Sequence, residues 1–206
     1  MFSRNEVFWS FDLLQLGLLP REWVQQVIRT TEQFGVCTSL DHQSVTSREP
    51  EGSPPMEVCV VTGEIIFQHM NWLHELYRND LASFASMFAG RAITIANDLQ
   101  SSVNINLLRG IHARYERHVD SNPVTGILFA STLHPADGGE LIFEGANHDT
   151  TILPRTGIFI VFDARNITHY VAPLKTTIDR ISLPMNYYFA DGQQSRPEDL
   201  NEYLYK

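Results

Sequence analysis

Two side chains able to bind a metal stand two residues apart in the stretch Arg114-Tyr115-Glu116-Arg117-His118-Val119-Asp120. Side chains along a β-strand repeat with period two, so His118 and Asp120 would leave one face together and could grip one ion. A third donor, His169, lies in a later strand-like run, Asn166-Ile167-Thr168-His169-Tyr170-Val171. Two neutral imidazoles and one carboxylate on one side of a divalent metal suit Fe(II), and leave the other positions open for water, O2 or a cosubstrate. An H-x-D pair alone is common by chance and usually falls on a surface loop. Its weight depends on whether the fold brings His169 to it.

A second pair concerns anion binding. Arg180 and Ser182 share parity in a run whose alternate positions are Ile181, Leu183 and Met185. A guanidinium fork with a hydroxyl beside it binds a carboxylate bidentately. The plainer possibilities are an Arg180 paired with a buried acid or one facing solvent. A buried arginine without a partner is costly, which favours an anionic ligand.

These residues need a scaffold of strands. After Gly90 the apolar period becomes two, with strands expected over residues 92–96, 102–108, 113–119, 124–132, 139–143, 157–162, 167–171 and 180–189. Turn-rich stretches separate them, and about eight short strands without intervening helices predict a β-sandwich or jelly roll. Before Gly90, residues 7–18 are mostly apolar and read as an opening strand or a short packed segment, and the period beyond them is helical. Pro20 opens a helix whose stripe is Trp23, Val24, Val27 and Ile28, ended by Gly35. A second run, from Gly63 to Gly90, carries Ile66, Met70, Leu73 and Tyr77, with a break expected at Asn79-Asp80. His69 and His74 lie five apart, off the helical ligand spacing, and read as surface or packing residues. The expected class is α+β, mainly β: a double-stranded β-helix (jelly roll) with N-terminal helices packed on one sheet.

The 206 residues predict a single domain: 1–90 a helical support, 91–190 the jelly-roll core, 191–206 a peripheral tail. Residues 41–55 are polar and breaker-rich, a loop long enough to be either a lid or a linker. A net charge of −9 with no Lys/Arg-rich block makes phosphate-backbone binding improbable as the main activity. The two cysteines, Cys37 and Cys59, fit no C-x-x-C pattern and read as reduced structural thiols. With no signal-peptide pattern at the start and no run of about 18 apolar residues, a soluble cytoplasmic protein is expected.

The ordered set Tyr115-Glu116-Arg117-His118-Val119-Asp120, Gly138-Gly139-Glu140-Leu141-Ile142-Phe143, Gly157-x-x-x-x-Phe162, His169 and Arg180-Ile181-Ser182 resembles the Fe(II)/2-oxoglutarate-dependent oxygenases, and within them the prolyl-4-hydroxylase-like branch. The resemblance spans about residues 100 to 190, and its specificity lies in ordered spacing. It implies that His118, Asp120 and His169 are the catalytic metal ligands for Fe(II). It also implies that Arg180, helped by Ser182, holds the distal carboxylate of 2-oxoglutarate, and that O2 is the second cosubstrate, with succinate and CO2 as coproducts.

In that branch a tyrosine six residues before the position of Tyr115 often helps hold 2-oxoglutarate. Here Arg109 stands there, and Asn104, Asn106 or Tyr115 are candidates for its role. Related halogenases lack the carboxylate of the metal site, so the presence of Asp120 favours hydroxylation over halogenation. Arg114 and Glu116 share parity with His118 and could recognise a zwitterion or simply pair with each other. The expected substrate is a small molecule such as an amino acid or natural-product intermediate. The alternatives are a peptide or protein side chain, a desaturation or cyclisation outcome, and a non-catalytic cupin-like metal-binding protein.

Overall fold

The computed structural model describes residues 2–4, 6–40 and 56–194. The 41–55 loop, read as lid or linker, and the tail beyond residue 194 lie outside the described residues.

Thirteen strands are described: β1 Phe2–Arg4, β2 Phe8–Asp12, β3 Val36–Leu40, β4 Met56–Val61, β5 Ile93–Ile95, β6 Ile105–Arg109, β7 Tyr115–His118, β8 Val124–Phe129, β9 Leu141–Phe143, β10 Thr150–Ile152, β11 Ile158–Asp163, β12 His169–Val171 and β13 Arg180–Phe189. They form two antiparallel sheets. The larger, of nine strands, runs β1-β2-β11-β8-β13-β6-β4-β3, with β5 also on β13; the smaller runs β10-β9-β12-β7. This is the expected jelly roll. The segment before Gly90 is less helical than its period suggested, because β1 to β4 come from it and extend the large sheet at both ends. Those strands are short, and β3 and β4 flank the breaker-rich loop, so little alternation showed in the sequence.

The helices are α1 Trp23–Phe34, α2 Gly63–His69, α3 Asn71–Leu76 and α4 Ala82–Ala89, with a π-helical turn Tyr77–Leu81 joining the last two. The break expected at Asn79-Asp80 falls instead at Met70, where the backbone leaves helical angles (φ −135°, ψ 51°). Asn79-Asp80 sits within the wide turn, where the Asn79 amide donates to the Glu75 carbonyl rather than capping a new helix. His69 stacks on Phe34, and His74 is buried against Phe67, so both are packing residues.

The large sheet is buried on both faces, which explains why β8 is buried at every position. Along β13, Ile181, Leu183, Met185 and Tyr187 join the core under the helices. Arg180 and Ser182 have the opposite parity and point between the sheets, toward a second core that includes Ile127, Phe129, Phe143, Ile160 and Phe162. One row of period-two residues thus serves stability and its complement serves the interior. Burying the two cores fully contributes on the order of 2 kcal/mol for each large side chain.

Cys37 and Cys59 are not reduced thiols. The β3–β4 register places them opposite each other, Cα to Cα 4.0 Å, and a disulfide joins them. A separation of 22 residues, with no C-x-x-C spacing to link them, hid this pairing. With the cysteines bonded, their chemistry does not support the expected cytoplasmic location, since disulfides persist in oxidising surroundings. No described helix is long and apolar enough to cross a membrane.

Candidate metal and cosubstrate site

His118 ends β7 and His169 begins β12, and the two are direct partners across the small sheet. Asp120 is the second residue after β7, its backbone N–H donating to the Ala164 carbonyl at 2.9 Å. One donor atom from each of the three side chains lies within 4.8 Å of the others. The Asp120 Oδ1 stands 3.5 Å from His118 Nε2 and 3.7 Å from His169 Nε2. Ligands held at about 2.1 Å and at right angles stand roughly 3 Å apart. A modest inward closure would therefore seat one ion.

The imidazoles are set for this task. His118 Nδ1 lies 2.6 Å from the Glu116 carbonyl, and His169 Nδ1 lies 3.0 Å from the Ile167 carbonyl. A carbonyl only accepts, so each ring holds a proton on Nδ1 and leaves Nε2 as the nitrogen directed toward Asp120. His169 is buried, with the Phe162 and Phe143 rings packed at centroid distances of 4.9 and 6.1 Å. That burial lowers its pKa and favours the neutral, ligating form, against the opposing pull of the Asp120 charge. His118 is exposed on its other side, so the set is dry at one edge and open at the other.

Arg180 is 1% exposed, the largest side chain among those fully buried. Its Nε–H donates to the Gly139 carbonyl at 2.8 Å and its Nη1 to Ser182 Oγ at 3.0 Å. Among the described residues no carboxylate pairs with it, and burial pulls its pKa down to about 10, so it remains charged at neutral pH. A buried guanidinium with neutral partners only is what an incoming anion would complete. Gly139 allows the approach: its φ is +73°, and a Cβ there would lie 3.3 Å from the arginine's own Cδ.

The remaining polar residues near the site sort by register. Between the pairs His169–His118 and Val171–Tyr115, β12 advances two residues and β7 three, which is a β-bulge. The bulge reverses parity, so Tyr115, and not only His118, faces the interior. Its phenol is driven up in pKa by burial, partly offset by the nearby Arg180 charge. Arg114 and Glu116 flank it and bind each other at 2.6 Å. Arg109 points the other way, exposed and paired with Asp179 at 2.7 Å and Glu57 at 3.3 Å, outside the interior. The Asn104 amide donates to the Gln100 and Val61 carbonyls. Asn106 stands directly across from Ser182 on the interior face.

No protein-family model matches the sequence, and no curated protein does. Solved structures do match. A Trichoplax adhaerens prolyl hydroxylase in complex with a hypoxia inducible factor peptide fragment superposes with TM-score 0.64 at 15% identity, covering 92% of this chain and 89% of that one. The alpha ketoglutarate dependent epimerase SnoN from nogalamycin biosynthesis gives 0.62 at 14%, covering 89% and 76%. A Pseudomonas putida prolyl-4-hydroxylase gives 0.53 at 20%, covering 88% and 91%. The fold is that of the 2-oxoglutarate- and Fe(II)-dependent oxygenases. A further SnoN structure holds Fe3+ and alpha ketoglutarate.

Sequence reasoning missed three residues that the geometry adds. Gly139 supplies the carbonyl that orients Arg180, the buried Thr125 bonds to Asp120, and the buried Asn122 bonds to Thr125. A glycine pair at Gly138-Gly139 was visible, but a loop carbonyl reaching a residue 41 positions later carries no sequence signal.

Proposed function

We propose that this chain is an Fe(II)- and 2-oxoglutarate-dependent dioxygenase that hydroxylates an unactivated C–H bond of a small molecule, with succinate and CO2 as coproducts. The observation that carries the reading is that the two sheets turn complementary donor sets toward one interior: His118, Asp120 and His169, with ligand atoms within 4.8 Å of one another, and the buried Arg180–Ser182 fork, which has no carboxylate partner among the described residues.

In this reading His118, Asp120 and His169 hold Fe(II), whose two neutral imidazoles and single carboxylate leave net positive charge for anionic ligands. Arg180 and Ser182 take the distal carboxylate of 2-oxoglutarate, and Tyr115, buried beside Arg180, is positioned to donate to the same group. Fe(II) with 2-oxoglutarate bound supplies O2 activation coupled to decarboxylation. Phe143 and Phe162 keep water from the His169 side, which limits side reactions of a strong oxidant. Asp120 keeps the place that a halide would need, which favours oxygen transfer. The net charge of −9 argues against a nucleic-acid substrate.

The test is uncoupled turnover. Protein reconstituted with Fe(II) under nitrogen and then aerated should convert 2-oxoglutarate slowly to succinate, and His118→Ala should abolish this. Wild-type protein that binds Fe(II) and 2-oxoglutarate yet forms no succinate would place the chain among metal-binding proteins without turnover. A mass-spectrometric screen of amino acids and natural-product scaffolds then reads the outcome: a gain of one oxygen marks hydroxylation, and a loss of two hydrogens marks desaturation or cyclisation.

A further inference from the structure

Asp120 uses only one of its oxygens toward the two histidines; the other is occupied from the opposite sheet. Thr125 Oγ1 donates to Asp120 Oδ2 at 2.5 Å, and Asn122 Nδ2 donates to that same Oγ1 at 2.8 Å. The direction of this chain of hydrogen bonds is fixed. Asn122 Nδ2 also reaches the Val124 carbonyl at 2.8 Å, and a carbonyl only accepts, so the amide nitrogen must be the end facing Val124 and Thr125. The threonine oxygen then accepts a hydrogen bond from Asn122 and has a single hydrogen of its own to donate, which points to Asp120. Thr125 and Asn122 are 2% and 3% exposed, so water does not compete for these bonds.

Position strengthens the constraint. Thr125 lies on β8, in the large sheet between Phe162 of β11 and Asn186 of β13, and faces the interior like Ile127 and Phe129. Asp120 comes from the small sheet. The hydroxyl therefore ties a candidate metal ligand of one sheet to the rigid centre of the other, while the Asp120 amide is held by Ala164.

We infer that the Asn122–Thr125 relay is a positioning device that holds Asp120 as a one-oxygen metal ligand. It reserves Oδ2 for the protein and keeps the remaining coordination positions free for cosubstrate and O2. The inference rests on the metal-site reading above. A carboxylate freed from the relay can turn and take a metal through both oxygens, or point away from it. In either case the three-ligand geometry that Oδ1 and the two Nε2 atoms describe is lost.

The experiment is equilibrium titration of metal-free protein with Co(II) or Mn(II) alone, anaerobically, so the readout is affinity and not turnover. Thr125→Val keeps the shape and removes the hydroxyl; it should weaken binding by tenfold or more, the range typical of partners that orient metal ligands. Thr125→Ser restores the donor and should return to within about twofold of wild type, a rescue that a purely packing role for the methyl would not produce. If Thr125→Val does not fold, Asn122→Ala decides the question, since it leaves Thr125 in place but frees its hydroxyl to rotate. That variant should bind several-fold more weakly. Folded Thr125→Val or Asn122→Ala protein with wild-type affinity overturns the inference alone. Wild-type protein with no affinity for either ion, matching His118→Ala, overturns the metal reading itself.

Discussion

Replacing Arg180 separates the stability of the empty fold from its capacity to bind an anion. The guanidinium is fully buried with no acid beside it among the described residues. The fall of its pKa from 12.5 to about 10 amounts to a penalty of roughly 3 kcal/mol on the charged form. Methionine would keep most of the apolar stem and remove the charge. It would also strip the Gly139 carbonyl and the Ser182 hydroxyl of their donor, at roughly 1 kcal/mol each. The net effect is a gain on the order of 1 kcal/mol, a rise in Tm of about 2–4 °C for a chain of this size. Wild-type protein should respond to 2-oxoglutarate in the opposite manner from the variant. With Mn(II) present and ligand at a hundred times Kd, it should gain about 2.7 kcal/mol, and Arg180→Met almost nothing. Thermal melts under nitrogen, with and without 2-oxoglutarate, give all four values. A variant that melts well below wild type and is still stabilised by 2-oxoglutarate would refute the reasoning. The guanidinium would then have an acid of its own in the chain, and the anion site would lie elsewhere.

The Cys37–Cys59 bridge closes a loop of about 22 residues, so a Cys37→Ser/Cys59→Ser protein should lose roughly 3 kcal/mol in denaturant unfolding; a dithiol reductant should lower the wild-type midpoint and leave that of the variant unmoved. His74 is buried with no hydrogen-bond partner for Nδ1 among the described residues, and burial first, then Arg78, lowers its pKa from 6.5. The unfolded chain therefore takes the proton before the folded one, so stability should be full above pH 6.5 and decline below it. His74→Leu should flatten that decline between urea midpoints taken at pH 7.5 and 5.5, and an unchanged slope would exclude His74 as its source. At Gly139 an added Cβ would lie 2.7 Å from Leu133 and 2.8 Å from Leu174, on a backbone with φ of +73°. Gly139→Ala should cost about 2 kcal/mol and weaken 2-oxoglutarate binding more than Mn(II) binding, because the displaced carbonyl orients Arg180 and no metal ligand.

What the sequence disclosed follows from where its periodicity was clean. β13 reads plainly because one of its faces packs under the helices, so Arg180 and Ser182 stood out against Ile181, Leu183 and Met185. His169 could be joined to His118 and Asp120 only by assuming a jelly roll, and the pairing of β12 with β7 does bring them together. Other features carried no local signal. The strands β3 and β4 are short additions of five and six residues at one end of the large sheet, and their cysteines meet only through register. The break at Met70 arises from the tertiary path of the helices, while Asn79-Asp80, a good capping pair in isolation, is overridden by the wide turn.

The bulge in β7 shows why parity alone misjudges this site. Strict alternation from His118 assigns Glu116 and Arg114 to its face and sends Tyr115 outward. One extra residue opposite β12 reverses that assignment beyond the bulge, pairing Tyr115 with Val171 and bringing its phenol inward to Arg180. A regular strand could present a metal ligand and a cosubstrate contact on one face only at even separations. With the bulge, residues three apart can serve both, so the proposed metal ligand at the strand's end and the phenol near Arg180 come from one short element. The same economy recurs across the interior: the large sheet carries Arg180 and Ser182, the residues proposed for the anion, and, two strand positions along β8 from Ile127, the Thr125 hydroxyl that bonds to Asp120. If both ligands do bind here, their sites are mechanically joined through β8 and β13, which pair directly from Ser182 to Tyr187. Changes at Thr125 should therefore alter metal affinity first and the 2-oxoglutarate response only through the metal. Changes at Arg180 should do the reverse.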